Sequence, residues 1–261
     1  MTGFAAVLLL GLLLLSAGPS GALAADDFSK FAFRPHPGAR LPLASEFFDE
    51  QGQRVELKRF FAAKPVILVL DYLRCKTLCG LTLENLVTGL DELPVVAGSD
   101  FQVVVISIDP RDKPADLAAA KTKYLAGYHR AVSDEGWHFL TGPQPVVEQV
   151  AEIVGFRYRY EPAFDQYIHP AGFVVAAANG TISRYVLGVG AHSGELQSAL
   201  SDAAEGKAVG LLTRLLLLCH GDTPRLGRYS LAIEAAFAVT NLTAMVGGIG
   251  LFVAIRSRRK G

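Results

Sequence analysis

Cys75 and Cys79 carry the clearest chemical signal in the sequence. They follow an apolar, β-rich run at residues 65–72 that is typical of a buried strand. Leucine and valine then recur from Leu83 to Leu90 at the spacing of an amphipathic helix. The two thiols are therefore expected where a strand leads into the first turn of a helix, on one helix face and one turn apart.

Thiol chemistry at this position takes one of two forms. The backbone N–H groups of a first helical turn stabilise negative charge and so favour the thiolate. A thiolate either exchanges with disulfides or binds a soft metal ion. Because the chain has only three cysteines, too few for a disulfide framework, Cys75 and Cys79 are predicted to be a redox-active pair or metal ligands.

A mixed α/β fold is predicted around the cysteines. A hairpin is expected between Phe47 and Leu57, and strands are expected at residues 65–72, 101–108, 137–140, 169–177 and 181–187, the last two joined at Asn179-Gly180. Helices are expected from near Cys75 to Leu93, from Pro114, across residues 146–154, and after Ser193, whose side chain is expected to cap the last helix. This order describes a mixed sheet with helices on both faces.

Both ends of the chain are apolar and predict export and membrane attachment. Residues 1–25 combine a leucine-rich run with a small-residue cleavage site, the pattern of a secretory signal peptide. Residues 231–255 are long and apolar enough to cross a bilayer, and the basic tail at residues 256–261 fixes that end in the cytoplasm. The globular domain, residues 26–206, and a juxtamembrane segment, residues 207–230, are therefore expected on the outer side of a bacterial cell membrane.

The charge of the chain excludes one class of partner. The sequence has 25 basic and 25 acidic side chains, and its formal net charge is zero. This balance gives no electrostatic case for binding nucleic acid. About 200 residues remain between the apolar ends, enough for one globular domain with a core of its own.

Several polar residues are predicted to serve structure rather than chemistry. Asp109 and Asp112 lie between a strand and Pro114 and are expected to shape that loop. Asp71 is expected to end its strand. Four histidines show no ligand spacing to one another and are expected at the surface: His36, His129, His138 and His192.

Three motifs together resemble the Sco/SenC family of proteins. They are the strand followed by C-x-x-x-C and a leucine-rich helix, the segment Ile108–Pro114 that is close to D-P-x-x-D-x-P, and the isolated His169 ahead of a late strand. The resemblance covers residues 30–205 and implies a thioredoxin-like fold. It also implies that copper is ligated by Cys75, Cys79 and His169.

The family resemblance implies a role in copper delivery. Members are membrane-tethered and deliver copper to the binuclear copper centre of cytochrome c oxidase, or reduce its thiols. The expected partners are the oxidase subunit that holds this centre and other periplasmic copper or thiol carriers. Two thiolates and one imidazole suit Cu(I) and tolerate Cu(II), whereas zinc would want a fourth ligand. The resemblance thus favours a metallochaperone over an enzyme.

Two other functions stay open on the sequence. One is a metal-independent periplasmic thiol–disulfide oxidoreductase, and the other is a copper or redox sensor. His169 distinguishes the oxidoreductase from a copper chaperone, because disulfide exchange needs two cysteines but no remote imidazole. Cys219 and His220 lie ahead of the predicted membrane helix, where they are compatible with an accessory copper site or with a structural thiol.

Overall fold

A computed structural model describes residues 31–73, 80–130 and 134–207, together with Thr240 and Gly248. The chain divides into two units, residues 1–221 and 222–261, and the two residues described in the second unit are both helical. No helix among the described residues is long and apolar enough to cross a membrane. The predicted signal peptide, almost all of the predicted membrane helix, the basic tail, and Cys219 with His220 lie outside these ranges.

The first unit contains nine strands and four α-helices within its described residues. The strands are β1 (Glu46–Phe48), β2 (Arg54–Glu56), β3 (Val66–Asp71), β4 (Gln102–Ser107), β5 (Trp137–Leu140), β6 (Arg159–Glu161), β7 (Gln166–Ile168), β8 (Gly172–Ala176) and β9 (Ile182–Leu187). The helices are α1 (Gly80–Asp91), α2 (Pro114–Leu125), α3 (Gln144–Val154) and α4 (Ser193–Ala204). Short 3₁₀ helices cover Leu57–Phe61 and Asp134–Gly136.

A five-stranded mixed sheet in the order β5-β4-β3-β8-β9 forms the centre of this unit. Strands β3, β4 and β5 are parallel, and β8 runs antiparallel to both of its neighbours, β3 and β9. Every residue of β3 is buried, as expected for a strand with both faces covered. The predicted mixed sheet is confirmed, and so is the turn between β8 and β9, where Gly180 has a φ of +80°.

Helices cover both faces of the sheet, as predicted. Alternate residues of β3 point to opposite faces: Ile67 joins a core cluster with α1, α2 and α4, and Leu68 joins a second cluster with α3. The second cluster also includes the 3₁₀ helix Leu57–Phe61 and the predicted hairpin β1–β2, in which Phe47 pairs with Val55. The two clusters hold the carboxyl end of β3 in a fixed position.

Two local predictions were wrong. Ser193 is the first residue of α4 rather than its cap, because the extended residue ahead of the helix is His192 and its side chain makes no capping hydrogen bond. His138 is half-buried instead of exposed: its ring lies 4.3 Å from that of Phe60, and Nε2 lies 2.9 Å from Oε1 of Gln102. Burial lowers the pKa of His138 to about 4.

A hairpin absent from the sequence predictions precedes β8. Strands β6 and β7 pair antiparallel over three residues each, and Tyr160 faces Tyr167 across the pair. The predicted strand at residues 169–177 therefore begins only at Gly172. His169 lies directly after β7, in the short connection to the central sheet.

Candidate metal centre

The segment that carries Cys75 and Cys79, residues 74–79, lies outside the described residues, but both of its flanks are defined. On one side β3 ends at Asp71, whose carbonyl accepts a hydrogen bond from the backbone N–H of Ile108 at 2.8 Å. On the other side Gly80 is the first described residue of α1. The predicted strand ahead of the cysteine segment and the predicted helix after it are therefore both found.

Asp71 is a buried carboxyl group at the carboxyl end of β3. Its Oδ1 accepts a hydrogen bond from the backbone N–H of Tyr72 at 2.8 Å. Burial raises the pKa of Asp71 to about 8, so the group is mostly protonated near pH 7. Asp71 ends its strand, as predicted, and it also faces a residue that is remote in the sequence.

That residue is His169, whose Nε2 lies 3.8 Å from Oδ1 of Asp71. The topology of the sheet explains the contact. Because β8 runs antiparallel to β3, the residues ahead of β8 lie beside the end of β3. The fold therefore brings His169 to the strand end from which the cysteine segment starts.

The ring of His169 is held in one orientation by its surroundings. Its side chain is only 7% exposed. The Tyr72 ring meets it edge-on with centroids 5.7 Å apart, and the Phe156 ring lies at the same distance on a tilted plane. Burial among aromatic rings lowers the pKa of His169 and favours the neutral imidazole.

The two ring nitrogens of His169 have different environments. Nδ1 lies 3.0 Å from the carbonyl oxygen of Pro170, which can only accept, so this contact assigns the ring proton to Nδ1. Nε2 is buried and finds no hydrogen-bond partner among the described residues. The 3.8 Å contact with Asp71 is too long for a hydrogen bond and joins two groups that are neutral near pH 7, so it is not an ion pair. A buried Nε2 lone pair with its ring fixed through Nδ1 fits a soft metal ion.

The loop after β4 fixes the backbone ahead of the cysteine segment. Oδ2 of Asp112 accepts hydrogen bonds from the Ser107 hydroxyl at 2.6 Å and from the backbone N–H of Leu73 at 3.2 Å. Asp109 is fully buried and accepts a hydrogen bond from the backbone N–H of Arg111 at 2.9 Å. Both aspartates shape the loop, as predicted, and Asp112 ties this loop to the residue that immediately precedes the undescribed segment.

The predicted ligand set is divided between described and undescribed residues. Within residues 31–73, 80–130 and 134–207, no group of three or more histidine, cysteine or acidic side chains is arranged to hold a metal ion. His169 is the predicted ligand that these ranges include. Its contact with Asp71 was not predicted, because it depends on the pairing of β3 with β8, and neither strand carries a local signal of that pairing.

Comparisons with known proteins agree with this architecture. The family model described as SCO1/SenC matches residues 38–202. An Aquifex aeolicus VF5 protein provisionally named an electron transfer protein has 25% sequence identity to the chain; the match covers 66% of this chain and 96% of that protein, with a TM-score of 0.58. No curated protein matches the chain.

Two more solved structures have the same fold at lower identity. A SCO1/SenC family lipoprotein from Bacillus anthracis str. Ames is 19% identical over 66% of this chain and 99% of its own, with a TM-score of 0.53. The Arabidopsis thaliana ScoI structure with copper bound is also 19% identical over 66% and 99% of the two chains, with a TM-score of 0.50. The predicted thioredoxin-like fold and family resemblance are confirmed, because the family match spans well over half of the 261 residues: the chain belongs to the SCO1/SenC family.

Proposed function

We propose that this protein binds a copper ion as cargo through Cys75, Cys79 and His169, and delivers it during assembly of the binuclear copper centre of cytochrome c oxidase. The observation that supports this function best is the buried Nε2 of His169, which has no hydrogen-bond partner among the described residues. It lies at the carboxyl end of β3, which leads within four residues to Cys75. Family membership and the copper-bound Arabidopsis relative support the choice of metal.

The ligand types suit a carrier better than a permanent metal site. Two thiolates and one neutral imidazole form a soft set of low coordination number that Cu(I) accepts. A three-ligand set leaves room for a thiolate or imidazole of the recipient to join before a donor ligand leaves. The role of the protein's own residues is then to keep His169 neutral and oriented while the two thiolates are replaced by ligands of the recipient.

The proposed place of action is outside the cytoplasm, on a single-pass membrane anchor. The supporting observations are the signal-peptide pattern at residues 1–25 and the apolar run with its basic tail from residue 231 to the end. Protease added to spheroplasts is expected to digest the globular domain and to spare the basic tail. A protected domain, or recovery of the protein in the soluble fraction, would reject this topology.

A copper titration of the full chain tests the proposed function. The reduced wild type is expected to bind one Cu(I) per chain, and Cys75→Ser or Cys79→Ser is expected to lose more than about a hundredfold in affinity, because each removes a direct ligand. Cys219→Ser is the matched control, since it removes the third thiol without touching the proposed set. Equal copper retention by the wild type and the Cys75 or Cys79 variant would refute the proposal.

The alternative function is thiol–disulfide exchange without a metal, and it predicts a different role for His169. A C-x-x-x-C segment between a strand and a helix of a thioredoxin-like fold is compatible with it. Under copper delivery, His169→Ala weakens copper binding but leaves exchange of the Cys75–Cys79 pair with a small dithiol largely intact. Unchanged copper affinity with a collapsed exchange rate would favour the oxidoreductase.

A further inference from the structure

Arg111 joins two parts of the molecule that are far apart in the sequence. Its Nε donates to both carboxylate oxygens of Asp109, at 2.9 and 3.1 Å, and Nη2 donates to Oδ2 at 2.8 Å. Its Nη1 donates to Oδ1 of Asp165 at 2.6 Å, in the turn between β6 and β7. The Asp109 side chain is fully buried, so the guanidinium is the charge that balances it.

Asp165 adopts a backbone conformation that suits this bridge. Its φ is +49°, in the left-handed region that non-glycine residues seldom occupy. In this conformation Oδ1 also accepts a hydrogen bond from the Tyr160 hydroxyl at 2.7 Å. The Arg111 guanidinium lies 5.2 Å from the centre of the Tyr160 ring. One cation therefore contacts both the turn and the first strand of the hairpin.

The hairpin β6–β7 needs such contacts to keep its place. It pairs only three residues on each side and is not part of the central sheet. An isolated two-stranded hairpin of this size is marginally stable in water. His169 follows β7 directly, and Tyr167 in that strand packs against Tyr72 with ring centroids 5.4 Å apart. The hairpin therefore helps to set the position of His169 from one side, while the pairing of β8 with β3 sets it from the other.

The loop after β4 is thus linked to both sides of the proposed copper site. Asp112 binds the backbone N–H of Leu73, just ahead of the cysteine segment. Arg111, the preceding residue, binds the hairpin that leads into His169. We propose that Arg111 is a positioning residue, which holds the hairpin β6–β7 against this loop and so helps to keep His169 at the carboxyl end of β3. The part of this proposal that concerns metal rests on the copper function proposed above.

A double-mutant cycle on Cu(I) affinity tests the proposal in the full chain. Arg111→Ala is expected to weaken binding by about tenfold or more, the usual effect of losing a residue that orients a ligand. In a His169→Ala background the same change is expected to alter the affinity less than about twofold, because Arg111 acts through His169. An equal loss in both backgrounds would mean that Arg111 supports the fold in general, and it would overturn the proposal.

Two further variants guard against simple unfolding, since Arg111→Ala leaves the buried Asp109 without its counter-charge. Asp165→Asn keeps the Arg111–Asp109 pair and tolerates the left-handed backbone, and it is expected to weaken copper binding in the same direction but less. Glu161→Gln is the matched control, because the Glu161 side chain lies in the same hairpin and pairs with Arg159 of its own strand. Arg159 itself is unsuitable as a control, because its guanidinium also lies over the Phe31 ring, 5.0 Å from its centre. Wild-type affinity in Asp165→Asn, or an equal loss in Glu161→Gln, would contradict the proposal.

Hydrogen exchange without copper separates this proposal from the proposed function. Arg111→Ala and Asp165→Asn are expected to speed exchange of the β6 and β7 amides while leaving exchange in β3 and β4 unchanged. Glu161→Gln is expected to leave exchange in all four strands unchanged. Faster exchange in a chain that binds no copper would refute the copper function but support the positioning role. Unchanged exchange in both variants would refute the positioning role whatever the chain binds.

Discussion

His138 and His169 are two histidines of the same domain whose Nε2 atoms have different surroundings. Burial lowers the pKa of both, so both are neutral near pH 7. His138 lies in β5, at the edge of the sheet, and its Nε2 lies 2.9 Å from the side-chain oxygen of Gln102. His169 lies beside the end of β3, and its buried Nε2 has no hydrogen-bond partner among the described residues.

This difference is the one expected between a histidine that serves packing and one that binds a ligand. A polar atom removed from water normally finds a partner, because leaving it unsatisfied costs about 1–3 kcal/mol. His138 follows this rule through Gln102. Among the described residues the Nε2 of His169 has no such partner, as is expected where a ligand supplies it. Burial and a lowered pKa alone do not distinguish the two residues; the environment of Nε2 does.

The largest expected effect concerns copper. If His169 is a direct ligand, as proposed, His169→Ala is expected to lower Cu(I) affinity by more than about a hundredfold, since losing an outer-sphere group already costs about 10–100-fold. His138→Ala is expected to leave the affinity unchanged while destabilising the fold. Competition with a Cu(I) chelator measures both variants against the wild type. An equal loss of Cu(I) affinity in the two variants would show that the environment of Nε2 does not distinguish a copper ligand from a packing residue.

The next effect concerns the pH dependence of stability. The pKa of His138 is about 4 in the folded chain and near 6.5 when unfolded, so the unfolded state takes up this proton first as the pH falls. The contribution of neutral His138 is fully present above about pH 6.5 and is lost toward pH 4. Between pH 7 and 4 the wild type is therefore expected to lose about 3 kcal/mol more unfolding free energy than His138→Asn loses.

Urea unfolding at a series of pH values measures this difference. His192→Asn is the control, because His192 is exposed and its replacement is expected to leave the pH dependence of the wild type in place. We expect plots of unfolding free energy against pH for the wild type and His138→Asn to diverge below pH 6.5. Parallel curves would show that His138 is charged or solvated in the folded state.

Local sequence signals predicted most of the fold. Pro114 is the first residue of α2, as predicted, and Asn179-Gly180 forms the turn between β8 and β9. The apolar run at β3 predicted a strand that is buried on both faces, and the strand's alternate residues do enter the two core clusters. Each of these features depends on a few neighbouring residues. The hairpin β6–β7 was missed because its strands have three residues each and only one of the six residues is aliphatic, so no alternation of apolar residues marks them.

The site was predictable only in part, because its geometry is not local. His169 was selected by its motif, and the half-burial of His138 was missed because it depends on the neighbouring residues Gln102 and Phe60, which are distant in the sequence. The contact of His169 with Asp71 depends on the antiparallel pairing of β8 with β3. Sequence spacing indicated which residue types could act together, and strand register decided which of them meet.

The smallest expected effect concerns the hydrogen bond between His138 and Gln102. Gln102→Leu removes the acceptor near Nε2 of His138 and is expected to lower the unfolding free energy at pH 7 by about 1 kcal/mol. The loss stays modest because His138 is half-buried, so water partly replaces the lost partner. Urea unfolding of the single variant measures the total cost of the substitution.

A double-mutant cycle with His138→Phe isolates the hydrogen bond from the other effects of Gln102→Leu. Phenylalanine fills the space of the imidazole and has no N–H, so Gln102→Leu is expected to cost close to nothing in that background. A loss of about 1 kcal/mol in both backgrounds would mean that Gln102 stabilises β4 independently of His138. The hydrogen bond at Nε2 of His138 would then contribute nothing to stability, and the contrast with His169 would rest on the copper measurements alone.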